Sequence, residues 1–345
     1  MNDFVGSWTS NFPVHNCSHK CLSTGRQHAG TPVSLVKIVR SPIANLAVIV
    51  ILPRRRCGLS TCITYYLVSM AVSDLLLMIT TVILNRIVGI YFPGSFMSIT
   101  PVCRLHLAIS YAIIDCSVWL TVAFTFDRYV AICYQKLKIK YCTEKTAARV
   151  IGTVITLCCV KNTFWYFIYE PLYIINNIPW FCSVKLTFYT SSAWATFDWI
   201  HRISTPCLPF FLILMLNALT IRHILAASRG RRRLRAHSNA ESKSDPEMEK
   251  RRNSIVLLFC ISGSFILLYL LFVINFMYVR IAKFRYFSGS NFNRSNYILD
   301  QSGFMLQLLS SCVNPFIYAG TQRIFREELK NGMKYPLSLI VKLFK

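Results

Sequence analysis

Asp127-Arg128-Tyr129 closes an otherwise apolar run, within FTFDRYVAICYQ at residues 124–135. Arginine is permanently cationic and offers a planar fork of donors. Paired with Asp127, Arg128 would be held in one position; released, it would present a strong donor. That is the chemistry of a two-state latch, and the plainer alternative is an interfacial anchor. Asp74 lies in a second apolar run, MAVSDLLL. An ionisable group in such surroundings marks a functional position and needs a partner. A third run ends in Asn314-Pro315-Phe316-Ile317-Tyr318. Pro315 removes a backbone donor, so a kinked helix is predicted, suited to be a moving part. No nucleophile–base pair or metal cluster is present in the sequence, so an enzyme is not expected.

The runs that carry these residues are long. The chain has 345 residues, 54% hydrophobic and 15% charged, a profile suited to a polytopic membrane protein rather than a soluble domain. Seven stretches reach the roughly 20 apolar residues that a spanning helix needs: about 33–52, 62–86, 103–133, 146–169, 198–226, 253–280 and 297–320. The net charge of +24 is clustered at Arg54–Arg56, between Lys136 and Arg149, and at Arg229–Arg252. These stretches alternate with spans instead of lining one face, so a nucleic-acid partner is not expected. They fall on one side of seven spans, which makes that side cytoplasmic and puts the N-terminus outside. Asn16-Cys17-Ser18 and Asn293-Arg294-Ser295 are glycosylation sequons, and both fall on the outer side. Residues 1–32 read as an extracellular N-terminus and 33–320 as the bundle, with 227–252 a polar third intracellular loop. Residues 321–345 read as an amphipathic helix and a short tail, from Ile324, Phe325, Leu329 and Met333 recurring between basic residues. No cleavable signal is read at the N-terminus, so the first span would target the chain. The absence of an internal repeat argues against a transporter of repeated halves. Cys103 precedes Arg128 by 25 residues, which puts it near the outer face, and Cys182 lies in the next outer loop. An oxidising compartment permits a disulfide there.

These motifs, in this order and on these spans, resemble the rhodopsin-like (class A) G-protein-coupled receptors over roughly residues 43–334. The resemblance implies an all-α bundle of seven transmembrane helices with a short eighth helix, in the plasma membrane. It implies coupling of an extracellular ligand to a heterotrimeric G protein, with arrestin as a further partner. Arg128, Tyr129 and the 134–145 loop would then meet the G protein. Asn45 matches the family's first-helix Asn, Asp74 its second-helix acid and Pro209 its fifth-helix proline. Ser117, Ser310, Ser311 and Asn314 would ring Asp74 around a sodium ion, since hard cations prefer oxygen. A hydrogen-bonded network without an ion is the alternative. Short resemblances in KYCTEKTAA and EPLYIINNIPW point to a branch of orphan receptors near peptide and aromatic amino-acid receptors.

The chain also departs from the family pattern. Lys37 and Arg40 interrupt the first span, so either this half-helix tilts against the bundle or residues before about 42 do not belong to the family pattern. The fourth span lacks the usual Trp. In the sixth, Tyr269 takes the Trp place and Leu271 the Pro place of the family's Phe-x-x-Cys-Trp-x-Pro, which predicts a straighter helix. Asn217 stands where the family often has Tyr. Ser110 occupies the position of the ammonium-binding Asp in amine receptors, so a peptide or small zwitterion is favoured over an amine. Arg86, Arg104, Asp198, His201, Arg202 and Tyr278 are pocket candidates on the outer halves of the spans, and interfacial snorkelling is the alternative for each. Asp115 and Lys161 lie deeper, without an assigned partner. Ser238, Ser242 and Ser244 are the phosphosite candidates. A receptor-shaped scaffold that does not couple is the competing reading, with a transporter or channel behind it.

Overall fold

The computed structural model describes residues 32–55, 59–88, 91–92, 94–235, 246–281 and 295–331. Asn16, Asn293 and the three loop serines fall outside them. Lys37, Arg40, Arg86 and Arg280 lie on described helices, but their side chains are outside the description.

Seven long helices account for most of the described chain. The first runs from Pro32 to Arg55 through Pro42 and Pro53. The second starts at Ser60, whose side chain accepts from the Ile63 amide, and covers Thr61–Leu77. It continues as wide π turns over Met78–Val88. The third, Thr100–Cys133, begins with Pro101 in its first turn, where proline's missing donor costs no helical bond. A short helix, Gln135–Tyr141, follows in what the sequence suggests is a plain loop. The fourth, Glu144–Asn162, is capped by Thr143, which accepts from the Thr146 amide, and has Glu144 in its first turn. The fifth consists of Ser192–Arg202, a π segment Ile203–Cys207 and Leu208–Arg235. The sixth, Pro246–Ile281, has no proline beyond its first residue and is uninterrupted, as Leu271 predicts. The seventh, Ser295–Thr321, contains Pro315. Residues 323–331 form the short eighth helix.

Five of these helices are long and apolar enough to cross a membrane by length and composition alone. The first has an apolar stretch over Ser41–Arg54. The seventh is not among the five; its inner half carries Gln307, Ser310, Ser311 and Asn314. Polar side chains turned into a bundle lower a helix's hydropathy without exposing it to lipid.

The third span is central, packing against the second, fourth, fifth and sixth. Its inner half joins Leu52, Tyr66, Leu67, Met70, Phe124, Leu257 and Tyr318 in the main apolar core. A smaller cluster around Val118, Phe210, Ile213, Phe265 and Tyr269 lies between the third, fifth and sixth spans. Leu46, Leu157, Val160, Phe211 and Leu267 stay on the outer surface. A soluble protein would bury such a set, whereas a bilayer solvates it.

On the outer side, strands Tyr173–Ile175 and Ile178–Trp180 form a hairpin. Asn176 and Asn177 fill its two-residue turn with φ of 50° and 60°, the left-handed region that asparagine tolerates and that matches strand twist. A disulfide joins Cys103 at the start of the third span to Cys182 just beyond this hairpin. Thr100 Oγ1 donates to the Phe181 carbonyl at 2.7 Å, fixing the same edge.

Candidate functional site

At the inner end of the third span, Asp127 and Arg128 are 1% and 4% exposed. Arg128 Nε donates to Asp127 Oδ2 at 3.0 Å, and a guanidinium nitrogen makes a second contact to the same oxygen. Adjacent residues of one helix project in different directions, so both side chains bend to meet. The pairing is therefore a property of the site rather than of helical spacing. Arg128 also reaches Ser254 Oγ at 3.4 Å, near the start of the sixth span. Cys62 Sγ donates to Asp127 Oδ1 at 3.3 Å from the second span. Tyr129 takes no part in the pair; its hydroxyl meets that of Tyr134 at 3.3 Å, toward the surface. In the adjoining loop, Cys142 Sγ contacts the Asp127 carbonyl at 3.8 Å. Burial, then the Asp127 charge, push its thiol up to about 12.

Deeper in the bundle, Asp74 is fully buried. Ser117 Oγ donates to its Oδ1 and Asn314 Nδ2 to its Oδ2, both at 2.7 Å, and Ser311 adds a side-chain hydrogen bond. Asn45 Nδ2 donates to the Ser311 carbonyl at 3.2 Å, tying the first span to this set. Ser310 is buried but, among the described residues, makes no hydrogen bond to Asp74. The donor set suits a small hard cation: one carboxylate, the Ser117 and Ser311 hydroxyls, and the buried Asn45 Oδ1, which has no hydrogen-bond partner among the described residues. One helical turn beyond Asn314, Tyr318 is fully buried with its hydroxyl unpartnered, and its ring lies edge-on to Phe325 of the eighth helix.

Tyr269 stacks on Phe265 with ring centroids 4.1 Å apart and hydrogen-bonds Gln307. Pro209 is buried in the fifth span, four residues after Thr205. Having no N–H, it leaves the Thr205 carbonyl without its helical donor. Thr205 is the residue that leaves helical geometry, with φ −153° and ψ 115°, and it directly precedes Pro206, whose ring disfavours the helical region for the residue before it. Asn217, one of the departures from the family pattern, accepts from Ser262 Oγ at 3.1 Å and so links the fifth and sixth spans.

The outer half holds the group that sequence reasoning left without partners. Asp115, 1% exposed, pairs with Lys161 Nζ at 2.5 Å and accepts from Asn162 Nδ2 at 2.5 Å. Lys161 also donates to Ser204 and Thr205 at 3.0 and 3.1 Å. One cluster thus joins the third and fourth spans to the irregular turn of the fifth. Among the described residues, Asp115 Oδ1, Asn162 Oδ1, His201 Nδ1 and Trp165 Nε1 are buried without hydrogen-bond partners. Above them, Trp165 stacks on Tyr111 at 4.2 Å, and His201 meets Trp165 edge-on at 5.0 Å. Nothing in the spacing of Asp115, Lys161 and Ser204 announces that they meet, because the contact depends on how three helices pack.

The remaining pocket candidates divide. His201 points inward. Arg202 Nε bonds Asp198 Oδ1 at 2.8 Å along one helix face. Arg104 lies over the Tyr166 ring at 6.0 Å. Ser110 is buried, but its hydroxyl turns back to the His106 carbonyl at 2.8 Å and is not offered to a ligand. Tyr278 is half exposed on the outer surface.

A bundle built on buried ionic and amide contacts, with an apolar exterior, defines a multi-pass membrane protein. The chain belongs to the rhodopsin family of seven-transmembrane receptors, whose family model matches residues 44–318. This is a family of receptors and not of enzymes. A thyrotropin-releasing hormone receptor of Gallus gallus is 27% identical over 128 residues, 37% of this chain and 32% of that protein. The Homo sapiens receptor of the same name is 28% identical over the same length. A dopamine D2-like receptor of Drosophila melanogaster is 29% identical over 136 residues, 39% of this chain and 14% of that protein. The chain thus aligns with about a third of the length of the hormone receptors it matches.

Proposed function

We propose that this chain couples an extracellular ligand to a heterotrimeric G protein through release of Arg128. The observation that supports it most is the buried Asp127–Arg128 pair in reach of Ser254. A guanidinium held by one carboxylate in a low-dielectric site stays there until a competing arrangement compensates its charge. Outward movement of the sixth span separates Ser254 from Arg128 and opens the inner mouth to the G protein. A ligand favours that state only by its differential affinity for the two arrangements. The N-terminus lies outside in this reading. Asp74, Ser117 and Ser311 hold a sodium ion in the resting state, where it supplies a positive charge opposite Asp74. Asn314, Pro315 and Tyr318 carry the change along the seventh span, and the Tyr318 hydroxyl gains the partner it lacks at rest.

The ligand is a peptide or small zwitterion. Asp115 and Lys161 present opposite charges beside the aromatic wall of Tyr111, Trp165 and His201, and unpaired acceptors remain on Asp115 and Asn162. Arrestin binds after phosphorylation of Ser238, Ser242 and Ser244, which add negative charge to the third inner loop.

The test is basal G-protein activation in cells at matched surface expression. Asp127→Asn and Ser254→Ala raise the signal, and Arg128→Ala abolishes it. An Arg128→Ala receptor that signals as the parent does would sink this mechanism. The uninterrupted sixth span favours one competing reading, a receptor-shaped scaffold. It predicts no signal from any of the three variants.

A further inference from the structure

The short helix Gln135–Tyr141, which buries none of its residues, lies beside the fourth span. Between them lies a groove of about 650 Å³, bordered by Leu137, Lys140, Tyr141, Arg149, Val150 and Val154. Its two ends differ in chemistry. At the cytoplasmic end, Lys140 and Arg149 are exposed. They belong to a stretch with five basic residues, Lys136, Lys138, Lys140, Lys145 and Arg149, and one acid, Glu144. Arg149 commits Nε to the Lys145 carbonyl at 3.3 Å, and among the described residues the rest of its fork makes no hydrogen bond. At the other end the floor is mainly apolar, and the hydroxyl of Thr153 there is turned to the Arg149 carbonyl at 2.9 Å. Val150, Val154 and Leu157 follow at spacings of four and three, which places them on one helix stripe. Leu157 is 63% exposed, on the surface that meets lipid tails.

A basic loop with no further structure is usually a solvated face. This one differs because its cations flank a recess whose floor runs into the bilayer. The combination suits a molecule with an anionic head and an aliphatic body, held at the depth of the inner interface. A soluble anion would use the cations and leave the apolar floor wet. A neutral lipid would use the floor and leave the cations without a counter-charge.

We propose that this groove binds one anionic phospholipid of the inner leaflet, with its headgroup on Lys140 and Arg149 and an acyl chain along Val150, Val154 and Leu157. The site borders the latch. Tyr141 meets the Phe126 ring edge-on at 5.8 Å, one residue before Asp127. The next residue, Cys142, touches the Asp127 carbonyl. A lipid seated here steadies the short helix and, through it, the position of the Asp127–Arg128 pair.

Native mass spectrometry of the full chain tests this, with phosphatidylserine, phosphatidylcholine and chain-free glycerophosphoserine as probes. Phosphatidylserine adducts exceed phosphatidylcholine adducts in the parent chain. Each basic residue near an anionic surface contributes a factor of roughly five. Lys140→Gln with Arg149→Gln therefore lowers phosphatidylserine affinity by roughly 25-fold. Arg326→Gln with Lys330→Gln, on the eighth helix, leaves it near the parent value. Val150→Trp, which fills the floor, lowers it with both cations intact. Arg149→Lys retains binding, and size-exclusion profiles confirm that each variant is folded. The proposal fails if the Lys140/Arg149 variant binds phosphatidylserine like the parent. It fails equally if the eighth-helix pair loses as much, which would make the effect one of overall charge. Glycerophosphoserine binding as tightly as the lipid would also overturn it, since the groove would then be an anion pocket.

Discussion

Removing Lys161 from its buried pair gives a quantitative test of the outer cluster. Asp115 is 1% exposed and draws on two donors, Lys161 Nζ and Asn162 Nδ2. Lys161→Met leaves a carboxylate with one neutral donor in a nearly water-free site. Breaking such a pair costs roughly 3–5 kcal/mol, because the stranded charge must be protonated or solvated. Lys161 retains 26% side-chain exposure, so the lower end applies, about 3 kcal/mol. With roughly 2–4 °C lost per kcal/mol in a chain of this size, the melting temperature falls by about 6–12 °C. Asp115→Asn removes the charge but keeps a hydrogen-bonding shape, and Lys161 still has Ser204 and Thr205. Its cost is about 1 kcal/mol. The double variant Asp115→Asn, Lys161→Met has no stranded charge and melts close to Asp115→Asn alone. The assay is thermal unfolding of the full chain in detergent, as a double-mutant cycle with all four proteins at one concentration. A double variant whose loss equals the sum of the two single losses would refute the reasoning. Two residues lying near each other without interacting would give that result.

The other predictions concern the inner half and its loops. Cys142 alkylates at neutral pH roughly a hundredfold or more slowly than a free thiol, since the thiolate is the nucleophile and its pKa is pushed up to about 12. The rate rises as pH rises toward that value, and Asp127→Asn speeds it at constant pH; peptide mapping after timed labelling checks both. Ser262→Ala leaves Asn217 short of a buried donor and costs about 1–3 kcal/mol, with a raised basal signal if the fifth–sixth contact favours the resting state. Asp74→Asn removes the dependence of basal signalling on sodium in the medium; a parent receptor indifferent to sodium would leave the Asp74 cluster as a hydrogen-bonded network. Ser238, Ser242 and Ser244 changed together to Ala reduce arrestin recruitment at unchanged surface level, and an unchanged response counts against the loop as the phosphosite.

Much of this receptor is legible along the chain because membrane spans are locally determined. A helix in lipid satisfies every backbone group within itself, so each span is readable from its own composition. The proposed orientation rests on charge asymmetry, which is equally local. The inner loop helix Gln135–Tyr141 escaped that reading, since its alternating Lys and apolar residues resemble a plain basic loop.

What the sequence determined by itself is the bundle and the motif residues Asp74, Arg128, Asn314 and Pro315, each carried by a local pattern; the fifth and sixth helices, which reach Arg235 and start at Pro246, take up part of the 227–252 stretch read as loop. Tertiary structure decided which of them touch. Asp127 folds back onto Arg128, Ser254 comes within reach from the sixth span, and Asn45 reaches Asp74's neighbours through the Ser311 backbone. It alone joined Asp115 to Lys161 and the Thr205 turn, and left Tyr129 and Ser110 turned away. The physical reason is that helix rotation and crossing angle are set by packing between spans. A one-residue change of facing, about 100°, moves a side chain from a partner to the lipid.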